Sequence, residues 1–416
     1  MQQIPRDKAL DSTLALLLDG YLFIPKRCQR YQSDIFQARL LFQPSICMTG
    51  QEAAKLFYDT ERFERKDANP EPLKKTLLGE GSVQGLDGDA HRRRKQMFMS
   101  LMTRESIQQL AALTTEQWHA YSKKWETMDK VVLLYEVREI LCRAVCQWTG
   151  VPLEEGEVKQ RTNELAALFE GGGSAGLRHL RGRIARQQTE KWIEDIIENV
   201  RSQALEVAEG SPVHAIAWHR DLNEELLNKR TAAIELINLL RPTVAIGQFV
   251  VFSALALHDY PDCQQTLQQG DDKDIERFVQ EVRRFYPFFP LIAARVRQDF
   301  DWNGYHFPKK TRVFLDLYGT NHDARLWENP NEFQPERFRD WDGSPFNFIP
   351  QGGGDYQVGH RCAGEWITIE LMKASVKFLT QSIQYDVPEQ DLRISLSRIP
   401  AIPNSRFVIR NVRRTD

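Results

Sequence analysis

Apolar residues recur at three- and four-residue spacing through long stretches of the chain, the period of helices with one buried face. The clearest are SIQQLAALTTEQWHAYSKKW (106–125), KVVLLYEVREILCRAVCQWTG (130–150) and QQTEKWIEDIIENVRSQALEVAEG (187–210). Gly150, before Val151-Pro152, and Gly210, before Ser211-Pro212, predict helix stops followed by turns. Strand signals are fewer. DFDWNGYHFPKKTRVFLDLYG (299–319) predicts a hairpin turning at Asn303-Gly304. RISLSRIPAI (393–402) and SRFVIRNV (405–412) predict a second β region. No repeat, low-complexity tract or linker divides the 416 residues. The expectation is one mainly α domain spanning 1–416, with small sheets.

The run TAAIELINLLRPTVAIGQFVVFSALALHDYP (231–261) is apolar and long enough to raise a membrane span, but Asn238, Arg241, Pro242 and Gln248 interrupt it. Arg241 demands a partner, because a buried guanidinium without one is costly. Glu235 lies about 120° around the helix from it and is poorly placed. Pro242 removes a backbone hydrogen bond and loosens the helix beside the cation. A cation, an irregular turn and apolar walls together form a receptor for an anionic head group on an apolar tail. The alternative is a carboxylate reaching Arg241 from another helix.

The net charge of −2 favours neither nucleic acid nor an anionic membrane surface as partner. The N-terminal apolar run MQQIPRDKALDSTLALLLDGYLF is too short and too interrupted for a signal peptide or a span. Cys28, Cys47, Cys142, Cys146, Cys263 and Cys362 form no CxxC pair and no disulfide framework, which suits a reducing cytoplasm. Cys142 and Cys146 share a helix face as two small buried residues. An intracellular, cytoplasmic chain with no integral membrane segment is expected.

The segment FNFIPQGGGDYQVGHRCAGEWITIELMKASVKFL (346–379) carries the most chemistry. Pro350, Gly352, Gly353, Gly354 and Gly359 predict a loop, and a helix follows from about Ala363, with Cys362 at the junction. A cysteine at a helix N-terminus has its thiolate stabilised by the dipole and by free N–H groups. His360 and Arg361 add donors, and the glycines let the backbone close on something large and flat.

From Phe348 to Gly364 this segment resembles the haem-binding loop of cytochromes P-450, with a longer loop before the cysteine. Glu281 and Arg284 in FVQEVRRFYP, with Arg337 in PNEFQPERF, match in chain order the charged network of that superfamily. The resemblance implies the P-450 fold, mainly α with small β-sheets, around haem b (iron protoporphyrin IX) with Cys362 as metal ligand. His91 and Lys95 in GDAHRRRKQMF stand where the superfamily usually has His and Arg on a propionate, so Lys95 is a departure. His360 and Arg65 are further cofactor contacts by the same resemblance.

Where typical members carry an acid–alcohol pair, Arg241-Pro242 resembles the fatty-acid peroxygenase branch, as does the QGGGD insertion. That implies a long-chain fatty acid whose carboxylate is bound by Arg241 and serves as general acid–base for hydrogen peroxide, with no redox partner. Leu78 and Gln84, in LLGEGSVQGLDG, match the distal-pocket segment of that branch. Phe169, Phe288, Phe289 and Leu291 match its substrate-lining positions. Gln84, where decarboxylating relatives have His, implies hydroxylation, and the bulk of Phe169 and Phe289 resembles alpha-hydroxylating members. Three alternatives stay open: a decarboxylase giving terminal alkenes, a monooxygenase fed by redox partners, and a non-enzymatic haem- or lipid-binding protein.

Overall fold

The computed structural model describes residues 2–415. Nine helices build the surroundings of the site: α1 (Gly88–Leu101), α2 (Arg104–Trp125), α3 (Leu133–Thr149), α4 (Val158–Gly172), α5 (Leu177–Arg201), α6 (Lys229–Ala245), α7 (Gly247–Asp259), α8 (Asp272–Phe285) and α9 (Glu365–Gln381). Their ends follow local chemistry. Thr103 caps α2 by accepting from the Ser106 N–H, and Asn228 caps α6 through the Thr231 N–H. Asp271 and Asp274 form a capping box on α8. Gly150 ends α3 in the left-handed conformation, as expected.

The expected helix over 187–210 is displaced. α5 begins ten residues earlier, at Leu177, and stops at Arg201. Gly210 therefore ends no helix; it leads into Ser211, which caps the short helix Pro212–Ala217. Glu206, Ala208 and Glu209 are neutral-to-good helix formers, so propensity extended the reading past the place where packing ends.

Among the described residues ten strands form three sheets: β1 (Ile35–Leu40), β2 (Gln43–Met48), β3 (Phe63–Glu64), β4 (Val131–Val132), β5 (Leu291–Val296), β6 (Phe300–Trp302), β7 (Tyr305–Phe307), β8 (Arg312–Asp316), β9 (Ile383–Asp386) and β10 (Val408–Arg414). The largest runs β1-β2-β8-β5-β3, with β2 and β8 parallel and the other pairs antiparallel. The smallest is the expected hairpin β6–β7, which turns at Asn303 and Gly304, both at positive φ. Of the predicted C-terminal β region only the second half forms a strand: β10 pairs with β4 and β9. The stretch 393–402 contributes one isolated bridge, Ile394 to Pro403.

α6 lies at the centre, packed on α3, α4 and α5, and α7 continues it over α3 and α9. From Lys229 to Asp259 this run is long and apolar enough to cross a membrane, yet 94% of its most apolar window is buried inside the protein. Asn238, Arg241 and Gln248 did not remove the span-like character; the surrounding helices supply the apolar environment instead. The run carries Pro242 inside α6 and breaks at Ile246, close to where the proline was expected to loosen it. Cys142 and Cys146 are buried and unbridged on α3.

At the end of β8, Asp316 caps the next helical turn through the Gly319 N–H (2.8 Å) and accepts from the Thr49 hydroxyl (3.2 Å). Burial raises its carboxyl to about 7 against those two hydrogen bonds. The unfolded chain releases this proton near the ordinary carboxylate value and the folded chain keeps it to about 7. Asp316 therefore subtracts stability as pH rises from about 4 to about 7. Asp316→Asn should flatten the decline in thermal unfolding midpoint over that interval, measured side by side at pH 5 and pH 8. An unchanged slope would show that Asp316 ionises normally.

Candidate active site

Cys362 lies in the loop entering α9, with Gln351 Nε2 3.9 Å from its sulfur. Glu365, on the first turn of α9, fixes this loop. It accepts from Arg283 (2.6 Å) on α8 and from Arg361 (2.6 Å). The helix starts at Glu365 with Gly364 as cap, two residues later than predicted. Burial pushes the Cys362 thiol up and the Glu365 carboxylate adds to this, against Lys95, the Gly364 N–H and Arg283. The helix terminus does not offset burial at this sulfur. The glycines also close on an unexpected flat object. Tyr58 accepts from the Gly353 N–H (2.7 Å), and a Cβ on Gly352 or Gly354 would come within 2.7 or 2.9 Å of its side chain.

Beside Cys362 four basic side chains gather. α1 turns His91, Arg94 and Lys95 inward and leaves Arg92 exposed and Arg93 half-buried. His91 stacks on His360, ring centroids 3.8 Å apart. Lys95 Nζ donates to the Arg361 carbonyl (2.5 Å), and the Arg65 guanidinium lies 4.3 Å over the Phe57 ring. Asp87 accepts from the backbone N–H groups of Arg65 and Lys66 (2.8 Å each) and stands 3.8 Å from His360 Nε2, while Asp355 and Glu365 act on Lys95. Burial, then mutual repulsion, lowers His91 to about 3, and burial likewise takes Lys95 to about 8. Burial lowers His360 to about 4 and Arg65 to about 10. Such a cluster waits for a multiply anionic group.

On the other side, Arg241 is 6% exposed in the middle of α6–α7. Among the described residues no carboxylate pairs with it, and its hydrogen bond goes to the Leu77 carbonyl. Burial lowers it to about 9, and the nearby Arg186 charge works in the same direction. Glu235 is indeed engaged elsewhere: it binds Arg94 (2.5 Å), the Val83 N–H (2.8 Å) and Asn238 (2.9 Å). Asn238 also reaches Gln84 Oε1 at 3.4 Å, which places Gln84 against α6 beside this network.

Residues 275–403 match the sequence model of the Cytochrome P450 family. The fold superposes with TM-score 0.95 on Cytochrome P450SP alpha (CYP152B1) in complex with (R)-ibuprophen, at 50% identity, over 97% of this chain and 99% of that one. This chain is a cytochrome P450. Its place in the superfamily is the fatty-acid peroxygenase branch of CYP152B1, CYP152N1 and OleT. Cytochrome P450EX alpha (CYP152N1) with myristic acid is 47% identical, with TM-score 0.96 over 100% of both chains. A variant of cytochrome P450 OleT in complex with arachidonic acid is 37% identical, with TM-score 0.97 over 100% of this chain and 99% of that one. Similarity extends more thinly to Taxane 10-beta-hydroxylase of Taxus cuspidata, 22% identical over 93% of this chain and 84% of that protein. The first curated relative, Cytochrome P450 71D18 of Mentha gracilis, matches locally: 41% identity over 20% of this chain and 17% of its own length.

As a cytochrome P450 the chain is an oxidoreductase, and the family carries haem. The residues fit that group. Cys362 is unbridged in the loop before α9, and the nearby Arg65, His91, Lys95 and His360 cluster of basic groups suits two propionates. The expected charged network is complete: Glu281 accepts from Arg284 Nε and Nη2 at 2.7 Å each and from Arg337 Nε at 3.2 Å.

The pocket aromatics are less united. Phe169 is buried on α4 under the Arg138 guanidinium, and Phe288 stacks on Phe249 of α7 at 4.3 Å. Leu78 packs at the rim of the same core. Leu291 belongs instead to a separate cluster with Phe23 and Phe36, and Phe289 is 39% exposed. Sequence reading missed the Arg94–Glu235–Asn238 network and Asp87. The helical period from His91 puts Arg94 and Lys95 on one face, a signal that was present; nothing marked Asp87.

Removing one partner of the Glu281 network strands a fully buried guanidinium. Glu281→Ala should cost about 3–5 kcal/mol in urea unfolding, whereas Arg339→Ala, in an exposed pair, should leave the midpoint in place. Equal effects of the two changes would remove the network from the stability account.

Proposed function

We propose that this chain is a peroxygenase that uses hydrogen peroxide to hydroxylate long-chain fatty acids at the alpha carbon, with the beta carbon next in reach. The observation that carries this is Arg241, a buried cation that pairs with no carboxylate among the described residues. A fatty-acid carboxylate supplies the missing charge and brings its own apolar tail to walls such as Phe169 and Phe288. Support comes from the relatives solved with myristic and arachidonic acids.

Cys362 would hold the haem, which would supply the oxidising chemistry for peroxide O–O cleavage when bound. The protein's part is placement and proton handling. Peroxide must lose a proton from one oxygen and gain one on the other, so a titratable group must stand between them. Gln84 carries none, and both oxygens of Glu235 are occupied by Arg94, Val83 and Asn238. The carboxylate held by Arg241 is the group that remains. Fatty acid and hydrogen peroxide then give 2-hydroxy fatty acid and water. Regiochemistry follows from the anchor, because the carbons next to the carboxylate are held closest to the reacting centre. The neutral amide of Gln84 favours hydroxylation over loss of carbon dioxide.

Purified protein, hydrogen peroxide and a long-chain fatty acid should give 2-hydroxy acid without electron-transfer proteins. Arg241→Ala should retain haem absorbance and lose about 100-fold or more of turnover. Equal hydroxylation by the variant would end the carboxylate-relay reading. Turnover that requires a reductase would favour the conventional monooxygenase, and spectral binding without product a haem- or lipid-binding protein.

A further inference from the structure

The Leu77 carbonyl has two guanidinium donors. Arg241 reaches it from α6, and Arg186 reaches it from α5 with Nη1 at 3.3 Å. Arg186 is 2% exposed, as deeply buried as Arg241. Its Nε is held by Glu190 one helical turn on, at 2.5 Å, while its Nη2 has no acceptor. Glu190 is not its alone: the other oxygen accepts from Arg230 (2.9 Å), which also reaches Glu80 (3.3 Å). The room for this second guanidinium comes from Gly79, at φ +89°, where a Cβ would stand 2.2 Å from Arg186 Nη2.

We infer that Arg186 is the second half of the carboxylate receptor, a positioning residue that stands behind Arg241 and sets the preference of the pocket for anionic over neutral head groups. This rests on the reading of Arg241 as the anchor. Two physical effects carry it. When Arg241 leaves Leu77 for a ligand carboxylate, Arg186 keeps that buried carbonyl paired, so the exchange does not strand an acceptor. The second is charge. Two buried cations share one oxygen, and Glu190 divides its charge between Arg186 and Arg230, so Arg186 stays incompletely neutralised. An incoming carboxylate relieves the repulsion between the two guanidiniums; an alcohol of the same length does not.

The test is the affinity of the haem-loaded protein for tetradecanoic acid against tetradecanol, by equilibrium dialysis. Arg186→Gln should weaken the acid about ten-fold, within the usual range of coupling between sites, and leave the alcohol unchanged. Arg186→Lys should restore most of the acid preference. Glu190→Gln should move the ratio the other way, since it removes the charge that tempers Arg186. A merely structural role predicts parallel loss of acid and alcohol. That result, or a shift of the same sign in Glu190→Gln and Arg186→Gln, overturns the inference. If Arg186→Gln does not fold, the sign of the Glu190→Gln shift decides alone. Arg241→Ala runs alongside: an unmoved ratio there sinks the anchor itself. A collapsed ratio there with an unmoved one in Arg186→Gln sinks only the role of Arg186.

Discussion

Positive charge buried without a matching protein carboxylate is the constraint around which this molecule is arranged. Three ion-pair networks show what the fold does when it closes its own electrostatics: Glu281 with Arg284 and Arg337, Glu365 with Arg283 and Arg361, and Glu235 with Arg94. Each has its carboxylate fully engaged and joins segments distant in sequence. Against that background Arg241, Arg65 and Lys95 stand out, because burial has been imposed on them with backbone carbonyls as acceptors. A cation in that position is costly to the empty protein and favours an anion that arrives from outside. The cluster beside Cys362 and the Arg241 region thus share one arrangement, buried cations whose hydrogen bonds go to backbone carbonyls.

Much of this was legible in the chain because the informative residues violate their surroundings. Arg241 and Pro242 stand inside an apolar helical run, and Cys362 inside a glycine loop before a helix; each is conspicuous against local periodicity. The hairpin at Asn303-Gly304 was legible because turn chemistry is local. The partners were not. Arg186, Glu190 and Asp87 lie in ordinary charged, helical or turn sequence, and only tertiary packing brings them to the site. The glycines of 352–354 also close on the ring of Tyr58, which lies nearly 300 residues earlier, a contact that no local pattern marks. The misplaced helix over 187–210 has the same origin: propensity continues past Arg201, while the packing of α5 against α4 and α6 ends there.

The run from Lys229 to Asp259 has a consequence during synthesis. While it is still uncovered it is, by length and composition, apolar enough to cross a membrane. The guanidinium near its midpoint raises the cost of that insertion by about 2.5–3.5 kcal/mol on the scale of translocon-mediated insertion. That one side chain therefore makes lipid a poorer environment for the uncovered run, before any pocket exists.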